Sequence, residues 1–146
     1  MVAKIEHKNR TGCPIACSLD IIGDHWTLLI IRNLMFSERH EYKDMLKAEE
    51  QISSSILTTR LSKLEKDGLI ASVPHPDSQR RKLYYLTPMG KDLIYVMTDI
   101  VLWAKKHLHD FLDIPADKQA LLDNDPKKFI DITLENLDHW EKHNLS

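Results

Sequence analysis

The sequence predicts a mainly α-helical fold with one small β-hairpin. Three observations point there. Between Gln51 and Leu86, Ser53 stands where a helix N-cap belongs, and Leu57, Leu61 and Leu64 follow at i, i+4 and i+7 of one face. Gly68 then stops that helix, and residues 69–73 and 82–86 read as two strands joined by a polar loop at 74–81. The segments 13–22, 25–36 and 88–111 carry helix start signals or helical apolar spacing.

Taken in order, residues 1–12 are polar and are expected to form a flexible arm. Pro14 suits the first turn of a helix with Cys13 before it at the cap, and Gly23-Asp24 breaks that helix after Ile22. The next helix, 25–36, is apolar nearly all round through Trp26, Leu28, Leu29, Ile30, Ile31 and Leu34, so it is expected at the centre of the domain. Arg32 should pair with a carboxylate at its edge. A short helix over 41–48 turns Tyr42, Met45 and Leu46 inward, and 49–52 form the turn into the helix that Ser53 caps. Together these make a helix-turn-helix followed by a β-hairpin wing. Thr87 caps a long helix, 88–111, with Pro88 at its first position. Its apolar residues, among them Leu93, Val96, Met97, Ile100, Val101 and Trp103, exceed what one small neighbour needs. Asp113-Ile114-Pro115 marks a boundary, and two helical pieces follow, 116–122 and 126–142. The expected domain organisation is therefore an arm (1–12), a domain built on the helix-turn-helix and wing (13–112) and a helical C-terminal extension (113–146).

The 146 residues are 42% hydrophobic and 29% charged, enough for one real core. A net charge of −2 does not by itself announce a nucleic-acid binder. Its distribution says more. From Ser53 to Tyr85 the bases Arg60, Lys63, Lys66, Arg80, Arg81 and Lys82 face only Glu65, Asp67 and Asp77, while the chain beyond His109 turns acidic. Two cysteines make no disulfide framework. The N-terminal residues hold no apolar signal-peptide core, and the apolar run near Trp26 stops at Arg32, so no membrane span and a cytoplasmic location are expected.

The face of the Ser53-capped helix opposite its leucines is small, polar and basic. Ser54, Ser55, Thr58 and Thr59 open it with hydroxyls that can lie close to DNA and bond bases or phosphates, and Ser62 and Lys63 can reach sugar or phosphate. No arginine there offers the bidentate guanine contact, so specificity rests partly on shape and on the wing. Arg80, Arg81 and Gln79 at the wing tip suit a flanking minor groove or phosphates, and Lys82 a phosphate at the hairpin base. Arg60, nearer the apolar edge, suits a structural ion pair first and a phosphate second. No phosphate-cradling glycine loop, G-x-S-x-G or H-E-x-x-H occurs, and the histidines complete no ligand set at a recognised spacing. No enzyme activity, cofactor or metal is expected.

Several separated motifs carry a resemblance. L-T-T-R-L-S-K-L-E-K-D-G-L-I (residues 57–70), a basic loop, then Y-Y-L-T-P-M-G (84–90) resemble a bacterial winged-helix repressor. C-P-I-A-C-S-L-D-I-I-G-D-H-W-T-L-L-I-I-R-N-L (13–34), with Trp103-Ala104 downstream, narrows the resemblance to the HxlR-type regulators within the MarR-like superfamily. It covers roughly residues 13–107. It implies a homodimer through terminal helices, set against a pseudopalindromic operator in double-stranded DNA. It also implies an effector: some members sense oxidants or electrophiles through the cysteine of the Cys-Pro pair, so Cys13 is a candidate redox sensor, with a small-molecule effector the alternative. The positive end of a helix dipole favours thiolate at such a position. Cys17 lies one turn on, and across an intact turn the two Cβ atoms stand about 5–6 Å apart, beyond the roughly 3.5–4.5 Å of a disulfide. The family carries a basic residue before the aromatic at Tyr42. Here it is Glu41, which counts against one phosphate contact. The rival reading is a winged helix used only for protein interaction, without DNA binding; the basic wing argues against it.

Overall fold

A computed structural model of the chain describes residues 11–145; the expected N-terminal arm lies, through residue 10, outside the described residues. The chain divides into two compact units, the first closing at Gly90 and the second opening at Lys91. It is mainly helical with one two-stranded antiparallel sheet.

In the first unit, helix α1 spans Pro14–Ile22 with Pro14 in its first turn and Gly23 at its end. Helix α2, Thr27–Phe36, starts two residues later than its apolar run suggests; Asp24 caps the turn that leads into it, its carboxylate accepting the Trp26 and Thr27 N–H groups at 3.0 and 3.1 Å. Six of the ten α2 residues are buried, with Ile30, Ile31 and Leu34 essentially inaccessible, so this helix is the centre of the unit. The expected carboxylate partner of Arg32 is Glu50, held through Nη1 and Nη2 at 2.8 Å each. Helix α3 is shorter than the 41–48 expected, Tyr42–Met45 only, and of its inward residues Met45 alone is buried there.

Helix α4, Ser54–Lys66, forms as the leucine spacing requires, with Ser53 Oγ accepting from Ile56 N–H at 3.2 Å and Leu57, Leu61 and Leu64 buried. Gly68 takes φ 83°, a left-handed conformation that favours glycine, and ends the helix. The hairpin is longer than the sequence suggests. Strand β1 is Ile70–His75 and β2 is Ser78–Leu86, so most of the expected 74–81 loop is strand. A two-stranded sheet has only edges, so Pro74 and the charges of β2 need no buried partner. The register runs regularly from Ile70↔Leu86 to Pro74↔Lys82, then jumps to His75↔Ser78, which leaves Gln79, Arg80 and Arg81 as a bulge. His40 fastens the segment before α3 to β2: its backbone oxygen accepts from Tyr84 N–H and its Nδ1–H donates to Tyr84 O, each at 2.8 Å.

The expected 88–111 helix is broken. Thr87 Oγ1 accepts from Gly90 N–H at 3.2 Å and caps a single turn, α5 (Pro88–Lys91), before α6 (Leu93–His107) and a 3-10 turn at His109–Phe111. In the second unit α7 (Ala116–Asn124) and α8 (Pro126–Asn144) follow, α8 capped by Asp125. Leu122, Phe129, Thr133 and Leu137 are buried there. No single helix among the described residues is long and apolar enough to cross a membrane.

Candidate nucleic-acid interface

The face of α4 away from its leucines is open. Ser54, Ser55, Thr58, Thr59 and Ser62 are all exposed. Thr58 Oγ1 donates to Ser54 O and Thr59 Oγ1 to Ser55 O, each at 2.9 Å. With their protons on the backbone, these two hydroxyls offer lone pairs outward, which suits acceptance from adenine N6–H or cytosine N4–H, while their methyls suit thymine. Tyr42 is not a core residue: its hydroxyl donates to Ser54 O at 3.0 Å and sits 3.2 Å from Thr58 Oγ1, tying α3 to the first turn of α4.

The basic residues divide into bound and free. Arg60 Nε pairs with Asp24 at 2.9 Å, the structural ion pair that its position suggested. Burial pushes the Asp24 carboxyl up, but bonds from the Thr27 hydroxyl, Trp26 N–H and Arg60 outweigh it and hold the group below its ordinary range. Lys63 turns back along α4 to Asp67 at 2.5 Å. Arg81 turns inward to Glu41, whose Oε1 lies 2.6 Å from Nη2 and 2.8 Å from Nε. Arg81 Nη2 is also 3.2 Å from His75 Nε2. Gln79, Arg80 and Lys82 are exposed.

Beside the wing, a cleft of about 350 Å³ is lined by Glu41, Tyr42, Lys43, Arg80, Arg81, Lys82 and Tyr84. It joins the α3 end of the helix-turn-helix to the wing. Lys43 was not legible as a site residue, since nothing local marks it, yet its side chain is 60% exposed and lies in this cleft with Arg80 and Lys82. The arrangement is a row of hydroxyls on a helix flanked by cations, with an aromatic floor. It can meet a base edge and the neighbouring phosphates together. Among the described residues no group of three or more His, Cys, Asp or Glu side chains is placed to hold a metal ion.

A family profile for HxlR-like helix-turn-helix proteins matches residues 21–111. The chain belongs to the HxlR family. As an HxlR-family protein it is a transcriptional regulator of helix-turn-helix type, not an enzyme. The HTH-type regulator YdeP of Bacillus subtilis (strain 168) is 29% identical over 109 residues, 75% of this chain and 84% of YdeP. Among solved structures, PA1607, described as a candidate transcription factor, is similar with a TM-score of 0.60 and 30% identity over 73% of this chain and 70% of that one. The reduced form of the transcriptional regulator YodB from B. subtilis has a TM-score of 0.53 and 27% identity over 66% of this chain and 95% of YodB. A winged helix is therefore the shared architecture.

Proposed function

We propose that this HxlR-family regulator is a homodimeric, sequence-specific DNA binder acting in the cytoplasm, with residues 13–112 carrying binding and dimerisation and 113–146 a helical extension. The observation that carries the reading is the exposed hydroxyl row of α4 beside the exposed cations Lys43, Arg80 and Lys82. Ser54, Ser55, Thr58 and Thr59 enter the major groove. The cations, with Gln79, hold the backbone on either side. Two apolar faces support self-association. No α1 residue is buried, and Ile15 stands 70% exposed with Leu19 one turn on; in the second unit Val96, Ile100 and Trp103 share an exposed face of α6.

Cys13 is the proposed redox switch. It is exposed at the cap position of α1, on the helix that carries Ile15 and Leu19, so modification there alters the same surface. Support comes from the relative YodB, which has been solved both reduced and after diamide treatment. The test is the mobility of DNA from around the protein's own gene, with and without a thiol oxidant, for wild type and Cys13→Ser. Retardation lost on oxidation in wild type alone supports both proposals. Retardation indifferent to oxidant removes the switch and directs attention to a small-molecule effector. No retardation at low salt removes DNA binding and leaves a protein-interaction module.

A further inference from the structure

We propose that Glu41 limits the sequence-independent part of this protein's DNA affinity by clamping Arg81. The inference rests on the DNA-binding reading above. Glu41 grips Arg81 from two nitrogens, Nη2 at 2.6 Å and Nε at 2.8 Å. Both nitrogens meet the single oxygen Oε1, and they form the edge through which an arginine otherwise takes a phosphate or a guanine. That edge of Arg81 is thus already occupied by a carboxylate oxygen.

Exposure sets the direction of the effect. The Glu41 side chain is 16% exposed and that of Arg81 40%, so the anion lies beneath the cation at the rim of the cleft. Lys43 Nζ and His75 Nε2 each stand 4.0 Å from the same carboxylate. One acid therefore lowers the field of several bases where phosphate would approach. Burial pushes its carboxyl up, but the Arg81 bond and charge, then Lys43 and His75, outweigh that and hold it below its ordinary value, so it stays ionised at neutral pH. Phosphate attraction is blind to sequence and grows with each cation that releases a counterion. A wing with Arg80, Arg81 and Lys82 all free would hold any duplex. With Arg81 neutralised, binding depends more on what the α4 hydroxyls meet.

The test is binding to a mixed-sequence duplex over a salt series for wild type, Glu41→Gln and Asp77→Asn. Glutamine keeps the shape of Glu41 and removes its charge. Asp77→Asn removes an equal charge at the hairpin turn, where the carboxylate faces His75 and not Arg81. Glu41→Gln is expected to bind several-fold more tightly and to steepen the fall of log K with log salt by about one phosphate contact. Asp77→Asn is expected to leave the slope near that of wild type. Equal slopes in wild type and Glu41→Gln, or equal changes in the two variants, overturn the clamp while leaving DNA binding intact. A wild type that binds no duplex at low salt overturns the DNA-binding reading, and the clamp with it.

Discussion

Loss of the Asp24 carboxylate should destabilise the first unit measurably. Three contacts disappear in Asp24→Ala. The α2 cap goes, with N–H groups of Trp26 and Thr27 at 3.0 and 3.1 Å, and such caps contribute about 1 kcal/mol. The Thr27 hydroxyl, on a residue 1% exposed, loses the Asp24 oxygen that accepts its proton; a buried polar group left unpaired costs about 1–2 kcal/mol. The Arg60 pair goes too, but both side chains are roughly 30% exposed, which limits it to about 0.5 kcal/mol. Discounting for overlap, destabilisation should be about 2–3 kcal/mol. Urea unfolding followed by far-UV circular dichroism measures it. Asp24→Asn, which keeps one acceptor, should lose less, and Arg60→Ala alone less than about 1 kcal/mol. A loss below about 0.5 kcal/mol in Asp24→Ala would refute the reasoning, because the cap alone should exceed it.

Other outcomes follow from the same geometry. Lys43→Ala, Arg80→Ala and Lys82→Ala should each weaken binding to any duplex to a similar extent and reduce the salt slope by about one, as measured by fluorescence anisotropy; Thr58→Val should instead change which sequences bind best. The Arg32 guanidinium holds the Glu50 carboxyl down from its usual 4.5 to about 2. Its folded value is depressed, so the pair's contribution is full above about pH 4.5 and lost as pH falls through about 2. With the Glu50 side chain 37% exposed, that contribution is about 1 kcal/mol, and Glu50→Gln should remove this part of the acid dependence of urea unfolding. Gly90→Ala would place a Cβ 2.1 Å from Leu69 O. Because that neighbour is backbone, the melting temperature should fall sharply, by the equivalent of about 2–3 kcal/mol.

Much of this was legible because its signals are local. Ser53, the three leucines and Gly68 define α4 within sixteen residues, and Pro14 and Pro126 mark their helix starts as proline's fixed φ requires. The full length of the hairpin is not legible because Pro74 and the charges of 80–82 speak against a strand, whereas an edge ladder tolerates both. The break at Asp92 carries no proline, and the close approach of Gly90 to Leu69 O is a tertiary contact that no window of sequence contains. The same holds for the interface. The hydroxyls of α4 could be placed on one face by counting. The capture of Arg81 by Glu41, forty residues away, could not, and it divides the wing's basic residues into one that is held and two that are free. The one local hint was the acid at Glu41 in place of the family's basic residue.

Hydroxyl-radical footprinting on DNA selected by the wild-type protein tests the central claim most directly. The account predicts two symmetric protected patches, spaced by a whole number of helical turns of about 10 base pairs each, with flanking protection that fades in Arg80→Ala. A folded protein that protects no patch at low salt, on any selected fragment, would contradict it.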